Sequence, residues 1–190
     1  MKLLSLAGEG KGETTALPAL TARILAQCGR VGWRVPRDAI RIPRGLLVDE
    51  RVPAPLRPAR DDGFQKALAV AQGQKASALV VLVDADDDCP ASFGRSGLQF
   101  FRNWAGRAVM AVREFETWLL LSFSPAELGA AGVRQPERIR DAKKALQRLV
   151  PGYLPTAHQR DLSRRIAIDE LRQRSRSFDK YVRSVLEVTS

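Results

Sequence analysis

Cysteine and histidine are scarce in this sequence of 190 residues, which contains two cysteines and one histidine. Cys28 and Cys89 lie far apart and form no Cys-x-x-Cys motif, so they cannot build a disulfide framework or a zinc cluster. His158 follows a turn-like Pro-Thr-Ala segment, and we expect it to lie in a solvent-facing loop rather than to transfer protons. This residue usage favours a reducing compartment.

Long hydrophobic runs are also missing. Apolar runs such as 79–83 and 118–121 are far shorter than the ~20 residues that cross a bilayer. The first residues, MKLLSLAG, resemble the start of a signal peptide, but Glu9, Lys11 and Glu13 interrupt the apolar stretch before it reaches the ~7–15 residues required. We therefore expect a cytoplasmic protein without a membrane span.

Positive charge is in excess. The chain has 31 Lys and Arg against 21 Asp and Glu, a formal charge of +10. Residues 134–190 hold 14 of the basic and 7 of the acidic residues, so 14 − 7 = +7 of this charge lies there. Such an excess favours a polyanionic partner, nucleic acid in particular, although a solvated basic face is the alternative interpretation.

Apolar segments alternate with segments of helical character along the first two thirds of the chain. The pattern predicts strands over 3–7, 78–83 and 108–112, and helices over 14–27, 62–75 and about 91–104. The run ALVVLV at 78–83 is typical of a strand buried on both faces of a parallel sheet. Alternating strands and helices indicate an α/β fold, a mainly parallel sheet flanked by helices.

Two regions depart from this alternation. Between residues 29 and 60 prolines recur, and only 39–48 could hold an edge strand. Beyond residue 132 the sequence is rich in helix formers and basic residues, and 136–149 and 177–186 have the periodicity of amphipathic helices. We therefore divide the chain into a metal-binding core, 1–132, and a basic helical C-terminal extension, 133–190, packed on that core.

Acidic residues follow three of the predicted strands. Glu9 and Glu13 follow the first, Asp84 and Asp86 to Asp88 follow the second, and Glu114 and Glu116 follow the third. The carboxyl ends of parallel strands meet at one edge of a sheet, so these carboxylates should converge. Their mutual repulsion would be relieved by a divalent cation, and oxygen ligands without nearby His or Cys favour Mg²⁺ or Mn²⁺.

Each cluster also has a simpler interpretation. Residues 84–88 could form a solvated loop and helix cap, and Glu114 and Glu116 could favour the first turn of a helix. Positions two apart in a helix diverge, so we expect only one of the two glutamates to be an inner ligand. GEGKGETT resembles a phosphate-binding loop, but Glu13 stands where a Walker lysine belongs and would repel a triphosphate.

The acidic motifs together resemble a known fold. An EGxxE motif from Glu9 to Glu13, a DxD motif from Asp84 to Asp86 and further acids downstream resemble the TOPRIM fold of topoisomerases, primases and overcoming-lysogenization-defect nucleases. The segments GEGKGETTALPAL, LVDADDDCPA, AVREFETWLL, PERIRDAKKAL and SFDKYVRSVL, in this order, look like an uncharacterised bacterial family of TOPRIM-like proteins. The resemblance covers most of the chain and implies a TOPRIM-like, Rossmann-like fold.

This resemblance implies Mg²⁺-dependent phosphodiester chemistry. By position, Glu9 would be a ligand or general acid/base, and Asp84 and Asp86 would be the metal-binding pair. Glu13 replaces an aspartate often found at the end of the first motif. Members are thought to occur beside ATPases in phage-defence or mobile-element loci, which implies an ATPase partner. A strand-passage domain is missing, which argues against topoisomerase activity.

We therefore predict a Mg²⁺- or Mn²⁺-dependent nuclease that acts on nucleic acid, DNA in the first instance. The predicted metal ligands are Glu9, Asp84, Asp86, Asp88 and Glu116. The predicted catalytic acids are Glu9, Glu13, Asp84, Asp86, Glu114 and Glu116. The residues predicted to bind phosphate are Lys11, Arg113, Arg140, Lys143 and Lys144. The alternatives are a non-catalytic nucleic-acid-binding subunit of an ATPase complex, and a phosphatase or nucleotidyl-transfer enzyme.

Overall fold

The apolar run ALVVLV lies in an inner strand of the sheet in the computed structural model, which describes residues 1–190. The strands are β1 (Lys2–Gly8), β2 (Trp33–Arg34), β3 (Ile40–Arg41), β4 (Ala78–Asp84) and β5 (Gly106–Ala111). They pair in the order β2-β1-β4-β5, with β3 also paired to β1, and every pairing is parallel. The predicted α/β fold with a parallel sheet is confirmed.

Nine α-helices surround the sheet. They are α1 (Lys11–Gln27), α2 (Asp61–Gly73), α3 (Pro90–Phe100), α4 (Phe115–Leu120), α5 (Pro125–Ala130), α6 (Ala142–Leu149), α7 (Pro155–Arg165), α8 (Ile168–Arg174) and α9 (Arg176–Val188). None of them combines the length and the apolar character that a membrane-crossing helix needs.

Alternate residues of β4 pack into two different hydrophobic cores, because successive side chains of a strand point to opposite faces of the sheet. Val80 and Leu82 belong to a cluster of 34 buried residues, formed with α1, α4 and the C-terminal helices. Val81 and Val83 belong to a cluster of 16 buried residues, formed with α2 and α3. Burial on both faces explains why β4 is continuously apolar.

A proline inside α1 connects this helix to the strand region beside it. Pro18 has no backbone N–H, so the carbonyl of Thr14 has no partner four residues further along the helix. The N–H of Ala39 donates to that carbonyl at 2.8 Å, just before β3 begins. Pro18 thus frees an acceptor that positions β3 beside the end of β1.

Three expectations differ from the structure. His158, expected in a solvent-facing loop, lies in α7 and is partly buried. The edge strand expected over 39–48 is reduced to Ile40–Arg41, because Pro43 follows and a 3₁₀ turn forms at Arg44–Leu46. The helix expected over 136–149 is divided into a 3₁₀ turn at Pro136–Arg138 and α6, because the Asp141 carboxylate accepts the backbone N–H of Lys144 and starts a new helix.

Candidate metal centre

Three carboxylates meet where β1 and β4 end. Glu9 directly follows β1, Asp84 is the last residue of β4, and Glu13 lies in the first turn of α1. One carboxylate oxygen from each lies within 4.8 Å of the others. Because hard cations bind carboxylate oxygens, this cluster could hold a metal ion.

Backbone amides fix two of these carboxylates. The N–H of Phe115, the first residue of α4, donates to Asp84 at 2.6 Å. The N–H of Gly10, which precedes α1, donates to Glu13 at 3.3 Å. Both acids are therefore oriented by the starts of helices at the same edge of the sheet, where positive helix ends favour negative charge.

The three carboxylates lie in a cavity of about 480 Å³ that is lined mainly by charged and polar side chains, with Pro155 among the lining residues. Glu114 and Glu116 also line it, together with Asp86, Lys11 and Lys143. Glu114 precedes α4 and has extended backbone angles, φ −138° and ψ 157°, so the helical divergence that we expected between the two glutamates does not apply. Both side chains line the same cavity, but neither belongs to the group formed by Glu9, Glu13 and Asp84.

Burial and mutual repulsion raise the pKa of these carboxyls. Burial is the main cause at Glu9, whose pKa rises to about 6 although Arg44 opposes the rise. Burial and the charge of Glu9 raise the pKa of Glu13 to about 7. Burial and the charges of Glu13 and Glu9 raise the pKa of Asp84 well above its ordinary value. Without a cation, burial and mutual repulsion thus favour the protonated forms of these groups.

The two glutamates of the α4 region behave similarly. Burial and the charge of Glu116 raise the pKa of Glu114 to about 7. The pKa of Glu116 is also raised, again mainly by burial, although the amide nitrogen of Gln159 donates to its carboxylate at 2.9 Å. The site therefore contains five carboxyls whose pKa values are raised above their ordinary values.

Arg44 is a site residue that sequence analysis did not identify. Its guanidinium contacts Glu9 at 3.3 Å and donates to the Asp84 carbonyl at 2.5 Å. It also lies 2.5 Å from the Asp88 carboxylate and 3.4 Å from that of Asp86. Arg44 belongs to the proline-rich region, and no local pattern links it to acids that are 35 or more residues away.

Asp86 and Asp88 thus differ from the group of three. Asp88 does not line the cavity, and its carboxylate lies between Arg44 and Arg57 with only 1% of the side chain exposed. Asp86 lines the cavity, but its side chain is 51% exposed and pairs with Arg44. The structure places Asp86 at the margin of the site and Asp88 behind it.

Helix α7 closes one side of the cavity. Gln159 is buried, and its carbonyl oxygen has no hydrogen-bond partner. A Cβ on Gly12 would lie 2.3 Å from that oxygen and 2.8 Å from Pro155, so α1 and α7 approach closely only because residue 12 is glycine. Nothing in the sequence near Gln159 indicates a role at acids that are far away along the chain.

The basic residues predicted to bind phosphate occupy three places. Lys11 and Lys143 line the cavity, and both are exposed. Arg113 and Arg140 pair with Asp87 beside a smaller neighbouring cavity. Lys144 pairs with Asp141, at 2.6 Å, on the surface. Lys11 and Lys143 are therefore the two cations of this set that share a cavity with the clustered carboxylates.

The fold and the site define an α/β protein with an acidic centre, able to hold a metal ion, at the carboxyl edge of a parallel sheet. A family model described as a domain of unknown function (DUF4276) matches residues 8–186, and the chain belongs to this family. No curated protein and no solved structure matches the chain.

Proposed function

We propose that this protein is a Mg²⁺- or Mn²⁺-dependent nuclease that hydrolyses phosphodiester bonds of nucleic acid. The observation that carries the proposal is the convergence of Glu9, Glu13 and Asp84, whose ligand oxygens lie within 4.8 Å of one another in a cavity lined mainly by charged and polar residues. Carboxylates this close together repel one another, and a bound cation would relieve that repulsion. The resemblance to TOPRIM-like proteins adds a phage-defence role with an ATPase partner to the proposal.

The donor set supports magnesium or manganese. The side chains that surround the cavity offer carboxylate and amide oxygens, and neither His nor Cys is among them. Oxygen-only sites favour hard cations over zinc. Such a cation would polarise a phosphodiester and make bound water more acidic. Glu9, Glu13 and Asp84 would hold it.

Other residues of the cavity supply the remaining requirements of hydrolysis. Glu114 is half-buried and has a pKa of about 7, so it can accept a proton from water or return one to a leaving oxygen near neutral pH. Lys11 and Lys143 stand at the same cavity and can bind the phosphate oxygens. The +7 charge of residues 134–190 can attract the nucleic-acid backbone.

The test compares the wild type with Asp84→Asn. Asparagine keeps the oxygen that accepts the Phe115 N–H, so the fold should persist while one ligand charge is lost. We expect calorimetric titration with Mg²⁺ and Mn²⁺ to show binding to the wild type that is weakened in the variant. Cleavage of labelled duplex DNA, single-stranded DNA and RNA should fall by about 100-fold or more, as expected when transition-state stabilisation is removed.

Asp61→Asn is the matched control, because Asp61 is an exposed acid in the first turn of α2, away from the cavity. It should bind metal and cleave like the wild type. Metal binding without cleavage of any polynucleotide would contradict the nuclease and favour a non-catalytic binding subunit. Turnover of p-nitrophenyl phosphate or nucleotides alone would instead indicate a phosphatase or nucleotidyl-transfer enzyme.

A further inference from the structure

A second cavity, of about 400 Å³, lies along β5, which is the edge strand of the sheet. Helix α3 forms one wall, α9 forms the other, and the β5 residues Ala108, Val109 and Met110 form the floor. The groove is distinct from the metal centre, since the two cavities share no residue.

The floor of the groove presents unpaired backbone groups. In the ladder between β4 and β5, the N–H of Leu79 donates to the Ala105 carbonyl and that of Ala85 donates to the Ala111 carbonyl. Every second residue of a parallel strand bonds to the same neighbour, so the N–H and C=O groups of Ala108 and Met110 point away from β4. No other backbone or side-chain hydrogen bond involves them. Both residues are buried, and buried backbone groups require partners.

The two walls of the groove differ in chemistry. The α3 wall presents Pro90, Ala91 and Leu98 together with one arginine, Arg95, and Leu98 is an exposed large hydrophobic side chain. The α9 wall presents Arg176, Lys180 and Arg183. Arg183 pairs with Asp179, whereas Arg176 and Lys180 have no acidic partner within 4.0 Å. The groove thus combines a mainly apolar wall that carries one arginine, a basic wall and an unpaired strand edge.

We propose that this groove binds an extended segment of a partner protein, which adds a strand to β5. Successive side chains of such a strand would face the two walls in turn. Acidic side chains would therefore face Arg176 and Lys180, and apolar side chains would face Leu98. The occupant is a segment in which acidic and apolar residues alternate, and the proposal does not depend on the nuclease activity.

Two other occupants fit the groove less well. A second copy of the chain would bring one basic α9 wall close to another if β5 paired with β5, and like charges would repel. A nucleic-acid strand would satisfy the basic wall, but it would leave the amides of Ala108 and Met110 without the regular partners that a peptide backbone provides.

The test uses the decapeptide acetyl-(Asp-Val)₅-amide with the isotope-labelled full chain. We expect titration to shift the NMR signals of Ala108 and Met110 and to give intermolecular contacts between the peptide backbone and β5. Two further peptides carry N-methyl groups on all valines or on all aspartates. In a strand, only one of these sets donates to β5, so one methylated peptide should lose about ten-fold or more in affinity and the other should not.

The charge is tested with Arg176→Glu/Lys180→Glu, which should weaken peptide binding about ten-fold or more. Arg34→Glu/Arg37→Glu is the matched control, because it changes the net charge equally with exposed residues at the opposite edge of the sheet. Equal binding by both variants, equal binding by all three peptides, or no shift at millimolar peptide would overturn the proposal. So would the same shifts produced by oligothymidylate in place of the peptide, or by self-association of the chain alone.

Discussion

Glu13 shows how strongly the carboxylate cluster depends on pH. Its pKa is about 7 in the folded chain, because burial and the charge of Glu9 oppose ionisation, against an ordinary value of 4.5. The folded state therefore binds this proton more tightly than the unfolded state does. The resulting contribution to stability is complete below about pH 4.5 and is lost as the pH rises through about 7.

Glu13→Gln should accordingly stabilise the metal-free protein at pH 8 and have little effect at pH 4.5. Glutamine removes the buried charge and keeps an oxygen for the Gly10 N–H. We expect the free energy of unfolding at pH 8 to rise by about 2 kcal/mol, within the range that a shift of this size permits. Urea unfolding in EDTA at the two pH values measures the effect.

The control for this prediction is Glu170→Gln, because Glu170 is exposed in the first turn of α8. It should change stability equally at both pH values. Added Mg²⁺ should stabilise the wild type at pH 8 more than it stabilises Glu13→Gln, since a bound cation replaces the lost protons. A Glu13→Gln variant with the pH dependence of the wild type would contradict the assigned pKa.

At the scale of elements, two glycines allow close approaches with different consequences. Gly12 lets α1 meet Gln159 and Pro155 of α7 beside the metal centre, whereas Gly97 lets α3 meet Ala108 of β5, and neither of these two residues lines the cavity of that centre. A Cβ at either position would lie 2.3 Å from the opposing side chain. Only the contact at Gly12 joins two helices that line the cavity.

Gly12→Ala and Gly97→Ala should therefore each reduce stability by about 1–3 kcal/mol, as overpacked sites do. Gly12→Ala should also weaken metal binding, and Gly97→Ala should not. Gly129→Ala serves as the control, because nothing lies within 4 Å of its added Cβ, and its stability should equal or exceed that of the wild type. Thermal unfolding and metal titration of the three variants give both readouts. Unchanged metal binding in Gly12→Ala would show that the packing of α7 against α1 does not affect the metal site.

The same scale shows which elements could be predicted from sequence. The residues of β1 and β4 and the acids that follow them could be predicted, because strand burial and the meeting of strand ends follow from local pattern and sheet geometry. Arg44 and Gln159 could not, because each reaches the carboxylates through a tertiary contact that no local periodicity encodes. The helix expected over 136–149 is divided where the N–H of Lys144 donates to the Asp141 carboxylate. The apolar periodicity of the sequence continues across this point, so it does not indicate the division.

At the scale of the whole molecule, the larger core joins both ends of the chain. Its 34 residues include Leu4 near the N-terminus and Val188 near the C-terminus. Trp118 of α4 packs against Phe178 and Tyr181 of α9 and is fully buried. Residues after 132 therefore cover the face of the sheet that bears Leu4 and Val80 together with α1 and α4.

The chain should consequently unfold as one unit, and a fragment ending at Gly132 should not fold cooperatively. Trp118 reports on the interface with α9 once Trp33 and Trp104 are replaced by phenylalanine. In that variant, Trp118 fluorescence and far-ultraviolet circular dichroism should give one coincident urea transition. Fragment 1–132 should bind the dye ANS and lose structure gradually, because removal of the C-terminal helices leaves part of this face uncovered and exposes apolar surface. Two separate transitions in the full chain, or a sharp transition in the fragment, would show that the parallel sheet is stable without the basic helices.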